Sequence, residues 1–138
     1  MTKDYILYIE DEEFQAKVFG KIINDEVAEF GYKLISLKCG QEAINLLSGE
    51  KIHGVSLENI GMILLDLAMH DVSGFQILKE IKNRKIKIPT AILSAKEDNN
   101  IKEETLKLGA TDYFIKGKDL EELNRLRHFI INTMRKNP

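Results

Sequence analysis

Four short apolar runs in the sequence are each followed directly by polar side chains suited to metal or phosphoryl chemistry. Glu10 and Asp11 follow the first run, and Asp66 follows the run MILL. Ser94 and Lys116 follow two further runs. An ionised carboxylate directly after a buried strand is unfavourable unless a cation or another partner offsets its charge. If these runs are neighbouring strands, three carboxylates, one hydroxyl and one ammonium group meet at one edge of a sheet.

This set of groups favours a magnesium site that is shared with a phosphoryl group. Carboxylates within a few ångströms of one another repel, so that one of them stays protonated or a cation binds. The sequence shows no set of cysteine and histidine ligands beside them, and Mg²⁺ takes few carboxylates and shares its sites with phosphate. The hydroxyl and the ammonium suit phosphoryl oxygens. Asp66 is then the natural nucleophile, since carboxylates can form aspartyl phosphates.

Taken one at a time, these residues have ordinary structural explanations. Acidic residues favour the first turn of a helix, which accounts for Glu10 or Asp11 alone. A hydroxyl such as Ser94 is commonly a loop group, and an ammonium such as Lys116 is commonly a solvated charge. Asp66 differs, because the residues around it supply no buried partner. The joint occurrence of such groups at four strand ends is what favours a functional site.

The elements that position these residues follow from the hydrophobic pattern. Apolar runs and helical spacing predict strands at residues 5–9, 33–37, 61–65, 90–93 and 113–115, and helices at about 12–26, 40–47, 74–84, 99–108 and 119–135. This alternation predicts an α/β fold with a parallel sheet and helices on both faces. In such sheets, ligands bind beyond the carboxyl ends of the strands. Residues 48–60 form a long connection, predicted to be an extension of the second helix followed by a surface loop.

Composition indicates one globular domain over the 138 residues, with 43% hydrophobic and 30% charged residues. The net charge of −2 gives no electrostatic ground for direct binding to nucleic acid or to an anionic membrane. The single cysteine, Cys39, excludes an internal disulfide and fits a reducing compartment. No apolar stretch approaches the roughly 18 residues that a membrane span needs, and the first run is too short for a signal peptide. We therefore expect a cytoplasmic protein.

Five short motifs occur in order along the chain. They are Tyr8-Ile9-Glu10-Asp11-Glu12; Gly40-Gln41-Glu42-Ala43; Asp66 with Met69 and Gly74; Ser94-Ala95; and Gly109-Ala110-Thr111-Asp112-Tyr113-Phe114-Ile115-Lys116. In this order and at these separations they closely resemble the receiver domain of bacterial two-component response regulators, over essentially the whole chain. The resemblance implies a single receiver domain at residues 1–138. Its expected fold is flavodoxin-like and doubly wound, with five parallel strands in the order 2-1-3-4-5 and five helices.

The resemblance also implies a role for each site residue. Asp66 would accept a phosphoryl group from a histidine kinase or a phosphotransfer protein. Asp11, Asp66 and the backbone carbonyl of Ala68 would ligate Mg²⁺, with Glu10 acting largely through water. Lys116 would pair with Asp66 and then with the phosphoryl group. Two further residues would form the switch: Ser94 would move to the phosphoryl group, and Tyr113 would rotate inward behind it.

The expected function is a signalling switch and not an enzyme, catalysing at most its own phosphotransfer and dephosphorylation. Its output would pass through the face of helix 4, strand 5 and helix 5 to a downstream protein or an output domain, and no output domain is expected within these residues. We expect no direct nucleic-acid or membrane partner, and a monomer or a weak homodimer.

Two residues depart from the pattern of the receiver family. His70 and Gly117 stand where the family usually has proline. A cis peptide bond before glycine is less favourable by about 2.5–4 kcal/mol, so we predict a trans Lys116–Gly117 bond and a looser loop, with Lys116 less firmly held. We expect His70 to be a solvated loop histidine.

Three alternatives belong to other classes of protein. A phosphatase or mutase of the aspartate-nucleophile class needs a second aspartate two residues after Asp66, where Ala68 stands. A flavodoxin-like electron carrier needs a phosphate-binding loop after the first strand, where the acidic Glu10-Asp11-Glu12 would repel phosphate. A degenerate receiver that binds proteins without phosphorylation is the third, and labelling of Asp66 would distinguish it.

Overall fold

The computed structural model of the chain describes residues 2–136. Within them, strands and α-helices alternate without exception. The elements are β1 Tyr5–Ile9, α1 Glu13–Ala28, β2 Lys33–Leu37, α2 Gly40–Leu47, β3 Ile60–Asp66, α3 Gly74–Asn83, β4 Thr90–Ser94, α4 Asn99–Lys107, β5 Asp112–Ile115 and α5 Leu120–Arg135. Each agrees with its predicted position to within one or two residues at either end. The helical periodicity and the apolar runs were therefore sufficient to locate all ten elements.

The five strands form one parallel sheet in the order β2-β1-β3-β4-β5. All seven residues of the central strand β3 are buried, which explains why its sequence is a continuous apolar run. β2 lies at an edge, and its burial alternates along the strand. The predicted flavodoxin-like α/β fold, with its strand order and five helices, is confirmed.

Two hydrophobic cores lie on opposite faces of the sheet. Leu7 and Ile9 of β1 pack in one core, together with α2 and α3. Ile6 and Tyr8 pack in the other, together with α1 and α5. Successive residues of β1 therefore point to opposite faces of the sheet, and both faces are covered. None of the helices in residues 2–136 combines the length and apolar character that crossing a membrane requires.

The connection between α2 and β3 differs from the prediction. α2 ends at Leu47, so the predicted extension of the second helix is wrong. Gly49 has a φ of 107°, a left-handed conformation that ends a helix readily in glycine. The chain then forms an antiparallel bridge between Ile52 and Val55 and a short 3₁₀ helix at Leu57–Asn59. Since Val55 is buried, this segment is anchored to the core and is not a simple surface loop.

Candidate functional site

The carboxyl ends of four strands bring the predicted site residues into one cleft. In the parallel register, Ile9 lies opposite Leu65, Asp66 opposite Leu93, and Ser94 opposite Ile115. The cleft has a volume of about 420 Å³. Its lining includes Glu10, Asp11, Asp66, Ala68, His70, Ser94 and Lys116. Among the predicted site residues, Tyr113 lies outside this lining.

The three acidic side chains converge closely enough to share one cation. One carboxylate oxygen from each of Glu10, Asp11 and Asp66 lies within 4.8 Å of the other two. Glu10 is only 1% exposed and Asp66 only 4%. Oδ1 of Asp11 is buried and has no hydrogen-bond partner within the described residues. A buried carboxylate oxygen without a partner, in a group of three acids, fits a divalent cation with oxygen ligands.

Glu10 holds its proton more tightly than an ordinary glutamate, because it is buried and lies close to the carboxylate of Asp66. The pKa of Glu10 is raised to about 7, chiefly by burial and also by the neighbouring Asp66, while Lys116 acts in the opposite direction. Lys116 lies close, with Nζ 2.6 Å from Oε1 of Glu10. The loss of hydration and the repulsion by Asp66 therefore outweigh the attraction of one ammonium. A cation in the cluster would replace this proton.

The ammonium of Lys116 lies close to three side-chain oxygens near the carboxyl ends of the strands. Its Nζ contacts Oε1 of Glu10 and Oε1 of Gln15, and lies 3.6 Å from Oδ2 of Asp66. The lysine side chain is only 6% exposed. No cis peptide bond occurs between residues 2 and 136, so the Lys116–Gly117 bond is trans as predicted. These contacts involve the ammonium although glycine and not proline follows it, and a looser loop with Lys116 less firmly held stays a prediction.

The start of α3 packs directly against the carboxyl end of β3. A Cβ on Gly74 would lie 2.5 Å from the carbonyl oxygen of Asp66 and 2.6 Å from Cα of Leu67. Only glycine allows the helix to begin this close to the strand, which explains the glycine eight residues after the aspartate. The N–H of Ala68 donates to Oδ1 of Asp66 at 3.2 Å, which orients the carboxylate. Ser73 caps α3 by accepting the N–H of Gln76.

The two predicted switch residues, Ser94 and Tyr113, both form hydrogen bonds with the backbone of Lys96 in the β4–α4 loop. Oγ of Ser94 accepts the N–H of Lys96 at 3.2 Å. The hydroxyl of Tyr113 donates to the carbonyl of Lys96 at 2.8 Å, and the tyrosine is only 3% exposed. Ser94 lines the cleft and Tyr113 lies behind it, so Lys96 connects the two. Sequence reasoning missed Lys96, because its backbone and not its side chain makes both contacts.

A family profile described as "Response regulator receiver domain" matches residues 6–127. The chain belongs to this family. Response regulator SaeR of Staphylococcus aureus is 35% identical over 106 residues, which are 77% of this chain and 42% of the relative. The chain therefore spans less than half of the length of the curated relatives it matches.

Solved receiver domains share the fold of this chain. A receiver domain of a LuxO repressor protein from Vibrio parahaemolyticus superimposes with a TM-score of 0.77 at 19% identity, over 97% of this chain and 92% of that one. A response regulator receiver domain from Rhodospirillum rubrum is 28% identical, with a TM-score of 0.70, over 91% of this chain and 89% of that one. The identification as a receiver domain made from the motifs is confirmed.

In this receiver domain, the β3–α3 loop is tied to two neighbouring elements. The N–H and Nδ1 of His70 each lie 2.7 Å from Oδ2 of Asp11. The His70 ring is 92% exposed, as expected for a loop histidine, but it is also paired with a site carboxylate. This hydrogen bond to Asp11 raises the pKa of His70.

The loop is tied on its other side by Asp71, which sequence reasoning did not single out. Oδ1 of Asp71 accepts the N–H of Gly40 at 2.9 Å, and Oδ2 accepts the N–H of Gln41 at 3.0 Å. Asp71 therefore caps α2 from a distance of about thirty residues along the chain, where Cys39 provides no cap of its own. A glycine-led helix without a local cap is the only signal in the sequence that such a partner was needed.

Proposed function

We propose that this receiver domain is a Mg²⁺-dependent phosphorylation switch whose acceptor is Asp66. The observation that supports this most strongly is the single cleft in which Asp66 lies between two further acids and Lys116. The donor would be a histidine kinase or a phosphotransfer protein. The residues that would hold Mg²⁺ are Asp11, Asp66 and the carbonyl of Ala68, with Glu10 acting largely through water.

The proposed reaction is transfer of a phosphoryl group to Asp66, with the neighbouring groups of the cleft offsetting the negative charge. A carboxylate oxygen of Asp66 attacks phosphorus, an acyl phosphate bond forms, and the bond between phosphorus and the donor breaks, the donor keeping its electron pair. When bound, Mg²⁺ supplies positive charge that offsets the carboxylates and the phosphoryl oxygens. Lys116 supplies a second positive charge at the same edge. The hydroxyl of Ser94 donates to a phosphoryl oxygen once the group is transferred.

Phosphorylation would change the region of Tyr113 through Lys96. If Ser94 turns toward the phosphoryl group, Oγ gives up its hydrogen bond from the N–H of Lys96. The same residue accepts the hydroxyl of Tyr113, so the β4–α4 loop and the tyrosine respond together. The affected surface is formed by α4, β5 and α5. A downstream protein or an output domain would bind there.

The setting proposed for this switch is the cytoplasm. The net charge of −2 argues against direct contact with nucleic acid or an anionic membrane surface. The proposed assembly is a monomer or a weak homodimer. Catalysis would be limited to the phosphotransfer and dephosphorylation of Asp66 itself.

The deciding experiment incubates the chain with acetyl phosphate and Mg²⁺ and measures the intact mass. We expect one phosphoryl adduct, absent in Asp66→Asn and absent when a chelator is added. Asp71→Asn is the matched control, because Asp71 lies in the same loop but its carboxylate binds the start of α2. An adduct that persists in Asp66→Asn would place the acceptor elsewhere. A folded wild type that gains no adduct would favour the alternative, a receiver that binds proteins independently of phosphorylation.

A further inference from the structure

The two oxygens of the Asp11 carboxylate have different surroundings. Oδ2 lies 2.7 Å from the main-chain N–H of His70 and 2.7 Å from the ring Nδ1 of the same residue. Oδ1 is buried and has no partner within residues 2–136. Since a carboxylate only accepts, Nδ1 carries the proton in this contact. One residue therefore provides two donors to one oxygen and leaves the other oxygen available.

The backbone of His70 has a defined position although its ring is exposed. The N–H groups of Met69 and Gly74 both donate to the carbonyl of Leu67, at 3.1 and 3.2 Å, which closes the loop on itself. Asp71, the next residue, binds two N–H groups of α2. The loop is thus anchored on both sides of His70, and its N–H is directed at Asp11 by the fold.

We propose that His70 is a positioning residue for Mg²⁺ binding, which holds the Asp11 carboxylate so that Oδ1 faces the cation. This inference rests on the proposed function, since it assumes a cation between the three acids. His70 acts through Asp11, because the group of potential ligand atoms within 4.8 Å contains three carboxylates and no histidine nitrogen. Hydrogen bonds that orient a metal ligand typically change metal affinity by about 10–100-fold when they are removed.

The ring donor can be removed without changing the main-chain donor. His70→Ala removes the ring donor and keeps the main-chain N–H. His70→Asn restores a side-chain N–H at about the position of Nδ1. His128→Ala is the matched control, since His128 is exposed on α5 and lies outside the lining of the cleft.

The test is calorimetric titration of the full chain with Mg²⁺, without a phosphodonor and at alkaline pH, where imidazole is neutral. We expect Mg²⁺ affinity to fall about tenfold in His70→Ala. It should recover in His70→Asn and stay unchanged in His128→Ala. Circular dichroism checks the fold of each variant, and the comparison of His70→Ala with His70→Asn decides.

Two results would overturn the proposal. Unchanged or tighter Mg²⁺ binding in folded His70→Ala would show that Asp11 needs no positioning. A loss confined to Mn²⁺ or Zn²⁺, with Mg²⁺ binding retained, would make the ring a direct ligand instead. Labelling of the wild type with acetyl phosphate distinguishes a failure of this inference from a failure of the proposed function. If Mg²⁺ binds as expected but Asp66 gains no adduct, the phosphorylation switch is wrong and the role of His70 stands.

Discussion

At the scale of single residues, Glu10 is the side chain most affected by its surroundings. Its carboxylate lies 2.6 Å from Lys116 and yet has a pKa raised to about 7, because burial and Asp66 both oppose its ionisation. Near neutral pH, protonated and ionised forms of Glu10 therefore coexist before a cation binds. Cation binding then includes release of this proton.

The raised pKa makes the stability of the metal-free chain depend on pH. The unfolded chain ionises Glu10 near its ordinary pKa of 4.5, while the folded chain keeps the proton until about pH 7. This contribution to the free energy of unfolding is complete below about 4.5 and is lost as the pH rises through about 7. We expect a loss on the order of 3 kcal/mol in the wild type, and none from this source in Glu10→Gln.

Urea unfolding in the presence of a chelator, at a series of pH values, measures this difference. Glu121→Gln is the control, because Glu121 is exposed in the first turn of α5 and lies outside the cleft. It should follow the wild-type pH dependence. Equal pH dependence in Glu10→Gln and in the wild type would contradict the assignment of the raised pKa to Glu10.

At the scale of elements, the β3–α3 loop joins three parts of the fold. It follows the strand that ends in Asp66, it contacts the β1–α1 loop through His70, and it caps α2 through Asp71. Gly40 packs tightly against it, since a Cβ at that position would lie 2.7 Å from Cβ of Val72. The site and the second helix are therefore mechanically connected through one loop.

Replacing Asp71 by alanine removes the only side-chain cap found in the described structure at the N-terminus of α2. We expect Asp71→Ala to lower the free energy of unfolding by about 1 kcal/mol. Asp71→Asn keeps one acceptor oxygen for one of the two N–H groups, so we expect it to lower the free energy of unfolding by less. The hydrogen bond from the N–H of Gly40 lowers the pKa of Asp71. The contribution of its charge is thus present above the ordinary carboxylate pKa and is lost as the pH falls through the lowered value.

Denaturant unfolding at neutral and at acidic pH measures both effects. The difference between the wild type and Asp71→Ala should shrink under acidic conditions, where the carboxylate of Asp71 becomes protonated. A difference that is the same at both pH values, or an Asp71→Asn variant as unstable as Asp71→Ala, would show that the long-range cap is not the cause.

At the scale of the whole molecule, three acidic side chains that repel one another lie at the carboxyl ends of the strands, and the sheet is packed on both faces. The two cores bury nearly all of β1, β3 and β4. Rigid packing of this kind keeps the strand ends at fixed separations, so the three acids cannot move apart to relieve their repulsion. A cation that binds only the folded state should therefore stabilise the entire domain.

We expect Mg²⁺ to raise the melting temperature of the chain by several degrees, corresponding to about 2.7 kcal/mol at a concentration one hundred times the Kd. Asp11→Asn should abolish most of this increase. Asp25→Asn, a change of an exposed acid on α1, should retain it. Thermal unfolding followed by circular dichroism measures the shift, with NaCl at matched ionic strength as the reference. An equal shift in NaCl would show screening of charge and no specific site.

Local patterns in the sequence determined the elements, their order and the residues at the strand ends. Burial on one or both faces imposes periods of two or 3.6 residues, and these periods are visible without knowledge of the fold. The position of Glu10, Asp66, Ser94 and Lys116 directly after apolar runs was visible in the same way. The motifs then identified the family, and the parallel sheet placed these four residues at one edge.

Only the tertiary structure decided which polar groups meet. Asp11 and His70 are separated by 59 positions, and Asp71 and Gly40 by 31. Gln15 reaches Lys116 across 101 positions, and Lys96 joins Ser94 to Tyr113 by its backbone alone. These contacts depend on the backbone angles of loops, and no periodic burial constrains the sequence of a loop. For the same reason, the prediction that residues 48–60 extend the second helix and then form a surface loop was wrong in its helical part, and it missed their anchoring through Val55, which requires the folded core.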